Sequence, residues 1–172
     1  MADSDGTSAS AAPTGAGSSP PASSTAERSL RVDFYVIEGT GTAARLKVAC
    51  RLAEKAYLAS QRALIWHTER AELEMLDELL WTFADGSFVP HEWLTSNAAA
   101  EAPVLLSAAS PPTAAFDFVV NLAADLPPFP HLTRRIAEII DGDEGRRRAG
   151  RARFKAYREL GVEPVTHTLR AE

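Results

Sequence analysis

The chain has one cysteine, Cys50, among its 172 residues, which excludes an internal disulfide and leaves no cysteine cluster to hold a metal. Its histidines, His67, His91, His131 and His167, are scattered and form no HExxH pair, so metalloprotease spacing is missing too. No run of apolar residues approaches the roughly 18 that a membrane-spanning helix needs. Positions 1–26 lack any aromatic or β-branched aliphatic side chain. Made mostly of Ala, Ser, Thr, Gly and Pro, this stretch cannot bury enough surface to offset its ordering entropy, and positions 1–30 are expected to form a disordered tail. The tail opens MADSD, with neither a basic n-region nor a continuous apolar h-region, and does not read as a signal peptide. Cys50 falls inside a helical pattern as a small buried thiol, and a reducing cytoplasm is the expected home.

What is present fits one α/β domain over 31–172, with 45% hydrophobic residues in the whole chain and core enough to fold alone. RVDFYVI at Arg31 to Ile37, ALIW at Ala63 to Trp66 and FDFVVNL at Phe116 to Leu122 are apolar runs of buried-strand type. Val104 to Leu106 is a shorter strand, and Val165 to Leu169 reads as a last edge strand. Leu46, Ala49, Leu52, Ala53 and Ala56 recur at helical spacing, as do Leu73, Leu76 and Leu80 after Thr68, read as an N-cap. Strand, helix, strand, helix implies right-handed crossovers and a partly parallel sheet. Leu132, Ile136, Ile139 and Ile140 fit a further short helix. Asn97 to Pro103, Ala108 to Thr113 and the proline-bearing Asp125 to Pro130 are expected loops.

Charge is segregated. Arg146 to Arg158 carries +7 while the whole chain is −5, so the remainder carries −12, which points to an acidic partner at one place. Wound at about 100° per residue, Arg147, Arg151, Phe154, Lys155 and Arg158 share one face. Ala149, Ala152, Ala156 and Leu160 line the other and are expected to lie against the sheet. A solvated basic face is the ordinary alternative for such a helix, and the Phe among the cations shifts the reading toward a binding surface.

Gly39, Gly41 and Ala44 match G-x-G-x-x-A directly after the first strand, the context of a dinucleotide site, although a flexible strand-to-helix turn explains the same glycines. Asp141, Asp143 and Glu144 lack the twelve-residue calcium pattern and read as caps of the basic helix. Trp81, Phe83, Phe88 and Trp93 cluster around the loop DGSFVPHEW, as core plugs or as an interface anchor.

DFYV at Asp33 to Val36, LDELLWTF and SFVPH within Leu76 to His91, FDFVVNL, and RARFKAYRELG at Arg151 to Gly161 together resemble the chi subunit of bacterial DNA polymerase III holoenzyme, over Arg31 to about Leu169. The resemblance implies a Rossmann-like three-layer α/β fold with a mostly parallel central sheet and a non-catalytic adaptor in the clamp-loader complex, with no cofactor, no metal and no catalytic residue. It implies two partners: the psi subunit, and the acidic C-terminal tail of single-stranded DNA-binding protein. Trp81, Phe88, Val89, Pro90 and His91 are the implied psi-binding residues, and a helicase at that face stays open. Arg147, Arg151, Phe154, Lys155 and Arg158, with Ile140 and Thr166, are the implied tail-binding residues. Phe154 stands where the family often has Tyr, and the G-x-G-x-x-A match is not a family feature. Direct single-strand nucleic-acid binding through the basic helix and nucleotide-dependent redox chemistry at Gly39 and Gly41 are the competing readings.

Overall fold

A computed structural model of the chain describes residues 29–95, 101–108 and 112–170. The tail expected over positions 1–30 lies outside the described residues up to position 28, as do positions 97–100 and 109–111 of two expected loops. In chain order the elements are β1 (Arg31–Ile37), α1 (Thr42–Leu58), β2 (Ala63–His67), α2 (Arg70–Thr82), β3 (His91–Trp93), β4 (Val104–Ala108), β5 (Phe118–Asn121), β6 (Arg135–Ile140), α3 (Glu144–Glu159) and β7 (Val165–Leu169). Among the described residues the strands form one seven-stranded sheet in the order β3-β4-β2-β5-β6-β1-β7, and every neighbouring pair runs parallel.

Parallel strands need crossover connections, helical here after β1, β2 and β6, so both faces of the sheet become covered and the central strands read as continuous apolar runs. The core divides accordingly. Leu46, Ala49 and Ala53 of α1 and Leu73, Leu76 and Leu80 of α2 pack on Ile65, Leu106, Val120 and Ile139. On the other face, Tyr157 and Phe154 of α3 pack with Phe34, Leu64, Val119 and Ile136. The three layers are therefore α1 and α2, the sheet, and α3.

Four expectations are corrected. The segment read as a helix from Leu132, Ile136, Ile139 and Ile140 is β6, paired between β5 and β1. Both of its faces are buried, so its isoleucines fall at spacings that also suit a helix, and Glu138 in their midst conceals the strand. The loop assigned around DGSFVPHEW contains β3, a three-residue edge strand too short to show periodicity. Thr68 is not a cap. The Nδ1 of His67 takes the amides of Thr68 and Glu69 at 2.9 and 3.2 Å, which puts the ring proton on Nε2, donated to Glu72 at 2.9 Å. Finally, α3 does not bury its alanine strip. Gly150, Arg153 and Tyr157 face inward, while Leu160 is exposed.

That inward face is held by a carboxylate. Glu138 is fully buried in the middle of β6; it accepts from Arg153 Nε at 2.9 Å, Tyr157 OH at 2.7 Å and Asn121 Nδ2 at 3.0 Å. Arg153 Nη1 continues to the Ala124 carbonyl at 2.6 Å. Burial pushes the Glu138 carboxyl above its ordinary range, even though Arg153, Tyr157 and Asn121 pull the other way. A polar network this deep persists because its members satisfy one another, and it fixes the rotation of α3 about its axis.

Candidate protein-binding sites

With Arg153 and Tyr157 turned inward, Arg147, Arg151 and Phe154 come to the flank of α3 that faces β1 and β7. Asp143 caps the helix, its Oδ1 accepting from Arg146 N at 2.8 Å. Gly150 lets the helix sit close, because a β-carbon there would collide with the side chain of Ile140. The result is a groove of about 190 Å³. Phe34 and Val36 of β1, Ile140 at the end of β6 and the ring of Phe154 supply its apolar surface, and Arg147, Arg151 and Thr166 complete its lining. Phe154 and Phe34 meet with ring centroids 5.2 Å apart.

Of the seven residues assigned to the basic site from sequence, Ile140, Arg147, Arg151, Phe154 and Thr166 converge on this groove. Lys155 and Arg158 do not line it: Lys155 Nζ lies 4.0 Å from Glu159, and Arg158 Nε 3.6 Å from Glu163. Arg147 Nε donates to the Asp141 carbonyl at 3.3 Å. Arg151 is exposed and, among the described residues, has no carboxylate partner. Phe34, Val36 and Gly150 were missed; a glycine in the middle of a helix costs about 1 kcal/mol against Ala and was the available signal of close packing. Gly150→Ala should therefore change the melting temperature little, since helix propensity offsets the crowding, while displacing Ile140 and weakening any ligand of the groove. A thermal melt beside a binding titration checks both halves.

A second exposed feature lies at the other end of the sheet. Trp81 near the end of α2 and Phe88 in the following loop are 46% and 62% exposed, with ring centroids 4.9 Å apart. The imidazole of His91 backs them, 4.5 Å from Trp81, held between Asp77 and the Val89 carbonyl, each at 2.7 Å. Val89 is in the core and His91 is largely covered, so from the assigned set Trp81, Phe88 and half-buried Pro90 reach the surface. Arg70 lies over the Trp93 ring at 4.6 Å and extends the patch. Between the edge strand β3 and β1 are five strand spacings of about 4.8 Å, so the patch and the groove are separated by roughly 24 Å.

The G-x-G-x-x-A turn has its amide occupied. Gly41 adopts φ 145° at the start of α1, a conformation open to glycine, and its N–H donates to Asp141 Oδ2 at 2.9 Å. Arg146 grips the same carboxylate through Nε at 2.7 Å and Nη2 at 2.6 Å. Burial works to raise the Asp141 carboxyl, but the bonds from Arg146, Gly41 and Asp143 outweigh it and hold it down at about 2. An internal carboxylate thus sits where a dinucleotide fingerprint would place pyrophosphate. Cys50 is fully buried and its thiol is pushed up to about 12 by burial, which suits packing rather than nucleophilic chemistry. Among the described residues no group of three or more His, Cys, Asp or Glu could hold a metal ion, and no helix is long and apolar enough to cross a membrane.

Comparison with known proteins adds the family. Residues 30–165 match the model of the DNA polymerase III chi subunit, HolC. DNA polymerase III subunit chi of Pseudomonas aeruginosa is 39% identical over 139 residues, covering 81% of this chain and 96% of that protein. The Escherichia coli subunit of the same name is 24% identical over 140 residues, covering 78% and 95%. Among solved structures, the crystal structure of T4 UvsW is similar in fold, with a TM-score of 0.59 at 10% identity, over 83% of this chain and 42% of UvsW.

Proposed function

The chain belongs to the DNA polymerase III chi subunit family, an accessory subunit in replication, and from that premise we propose that it is a non-catalytic cytoplasmic adaptor linking the psi subunit to the C-terminal tail of single-stranded DNA-binding protein. The observation that carries the reading is the convergence of Arg151, Arg147 and Phe154 with Ile140 and Thr166 on one apolar groove. A tail of acidic residues ending in Pro and Phe has complementary parts. Its terminal ring fits the apolar surface, its carboxylate suits the fork of Arg151, and its upstream acids are drawn by Arg147 and by the more distant Lys155 and Arg158.

The Trp81 and Phe88 patch serves the psi subunit in this reading. Exposed aromatics on a stiffened loop are the usual anchors of an interface, and truncating one typically costs about 2 kcal/mol or more. Phe88→Ala should weaken psi binding by about 2 kcal/mol without altering the melt, because Phe88 is mostly exposed. Capture from lysate on the full chain should bring down clamp-loader proteins together with single-stranded DNA-binding protein. Phe88→Ala should lose the first and keep the second; losing both, or neither, would defeat the two-surface adaptor.

A further inference from the structure

The sheet carries another recess, at the carboxyl ends of β2, β5 and β6, where the chain leaves in opposite directions: β2 feeds α2 on one face and β6 feeds α3 on the other. Such a divergence opens a crevice at strand ends. Here it has a volume of about 270 Å³, with Arg45 of α1, His67, Glu72 of α2, and Gly145, Arg146 and Arg153 of α3 among its walls.

Each of the three guanidinium groups donates part of its fork to the protein. Arg45 gives Nη1 to Glu72 at 3.3 Å and Nη2 to the Leu122 carbonyl at 3.1 Å. Arg146 gives Nε and Nη2 to Asp141, and Arg153 gives Nε and Nη1 to Glu138 and the Ala124 carbonyl. One donor group of each is left over: among the described residues Arg45 Nε, Arg146 Nη1 and Arg153 Nη2 have no acceptor. Arg45 is the telling case, since the residue is 3% exposed and its Nε is buried without a partner, a situation that costs about 1–3 kcal/mol or more for a charged group. Gly145 lies in the first turn of α3, where amides have no intrahelical acceptor.

The wall also holds two carboxylates, Glu72 and Asp143. Both are engaged, Glu72 by His67 Nε2 and Arg45, and Asp143 by the Arg146 amide. With Asp141 and Glu138 behind the arginines, three guanidinium groups stand against four carboxylates, so a ligand here is selected by directed N–H donors and not by bulk attraction. We propose that this crevice is a binding site for a phosphate-class oxyanion, either free or as the phosphoryl group of a nucleotide. Spare donors on Arg45 of α1 and on Arg146, Arg153 and the first turn of α3 line one crevice, which suits a tetrahedral group with several acceptor oxygens better than a planar carboxylate with two. The proposal does not depend on the adaptor reading, and it uses α3, not the α1 turn already filled by Asp141.

The test is a titration of the full chain with inorganic phosphate and, separately, with deoxyadenosine monophosphate, against sodium chloride at matched ionic strength. Nuclear magnetic resonance follows the Gly145 amide and the Arg45 Nε–H. Saturable shifts of both signals with the phosphate-bearing probes and none with chloride are expected, and tighter binding of the nucleotide would identify it as the carrier. Ala149→Glu, which places a carboxylate in the lining at a half-buried helical position, should abolish the shifts. Arg45→Lys, which keeps the charge and loses the planar fork, should weaken binding by about tenfold or more, the scale of one charge-assisted hydrogen bond. Shifts confined to exposed Arg148 and Arg151, an unsaturable response, or a titration that Ala149→Glu and Arg45→Lys leave unchanged would overturn the site.

Discussion

Glu138→Ala is expected to cost about 3–5 kcal/mol of folding stability, the range for breaking a buried ion pair by removing one partner. The loss comes from what is left behind. Arg153, 5% exposed, would keep its charge without a counterion, and the Tyr157 hydroxyl would lose its acceptor in the core. Against a total stability of about 5–15 kcal/mol for an ordinary domain, this is a large fraction. Urea denaturation of the variant beside wild type measures it. A double change to apolar residues, Glu138→Leu with Arg153→Met, should recover much of the loss, because both desolvated charges go together. A single variant costing under about 1 kcal/mol would mean that Glu138 does not organise α3. The network matters to function as well, since it sets which face of α3 meets the sheet and therefore which face offers Arg151 and Phe154 to a partner.

The elements legible in sequence were those whose burial pattern has one meaning. β1 and β2 are apolar runs each followed by a helix, β4 and β5 are apolar runs bounded by loops, and α1 and α2 carry leucine and alanine stripes that do face the core. β6 was misread because Leu132, Ile136, Ile139 and Ile140 fall at spacings that suit a helix, and because its central Glu138 is polar for a tertiary reason, the arginine and tyrosine that reach it from α3. The same pairing explains the misjudged helix face. Hydrophobicity alone favours the alanine strip, whereas the chain buries Arg153 and Tyr157, whose polar atoms find partners that no local pattern reveals. The groove was half legible. Arg147, Arg151 and Phe154 share a helical face by spacing alone, and Ile140 and Thr166 followed from family resemblance, but Phe34 and Val36 enter only through the register that sets β7 beside β1. At the aromatic patch the segment was visible, though not the burial of Val89 and His91 beneath Trp81 and Phe88.

Arg151→Ala should weaken binding of the single-stranded DNA-binding protein tail by about 1.5–3 kcal/mol, the worth of hydrogen bonds to a charged group. Arg151 is exposed and outside the described ion pairs, so the change should leave stability within about 0.5 kcal/mol of wild type and the loss is attributable to the ligand. Raising salt should weaken the wild-type complex, because the upstream acids of the tail act through screened attraction to surface cations. The most direct measurement is calorimetric titration with a peptide of the tail, ending in Pro and Phe, in free-acid and C-terminally amidated forms, against wild type and Arg151→Ala. Amidation should reproduce the Arg151→Ala loss on wild type and add little on the variant, as expected when one carboxylate and one guanidinium form the contact. If amidation changes nothing, and Arg151→Ala spares the peptide while abolishing binding to bare single-stranded DNA, the groove is a nucleic-acid site and the adaptor account is contradicted.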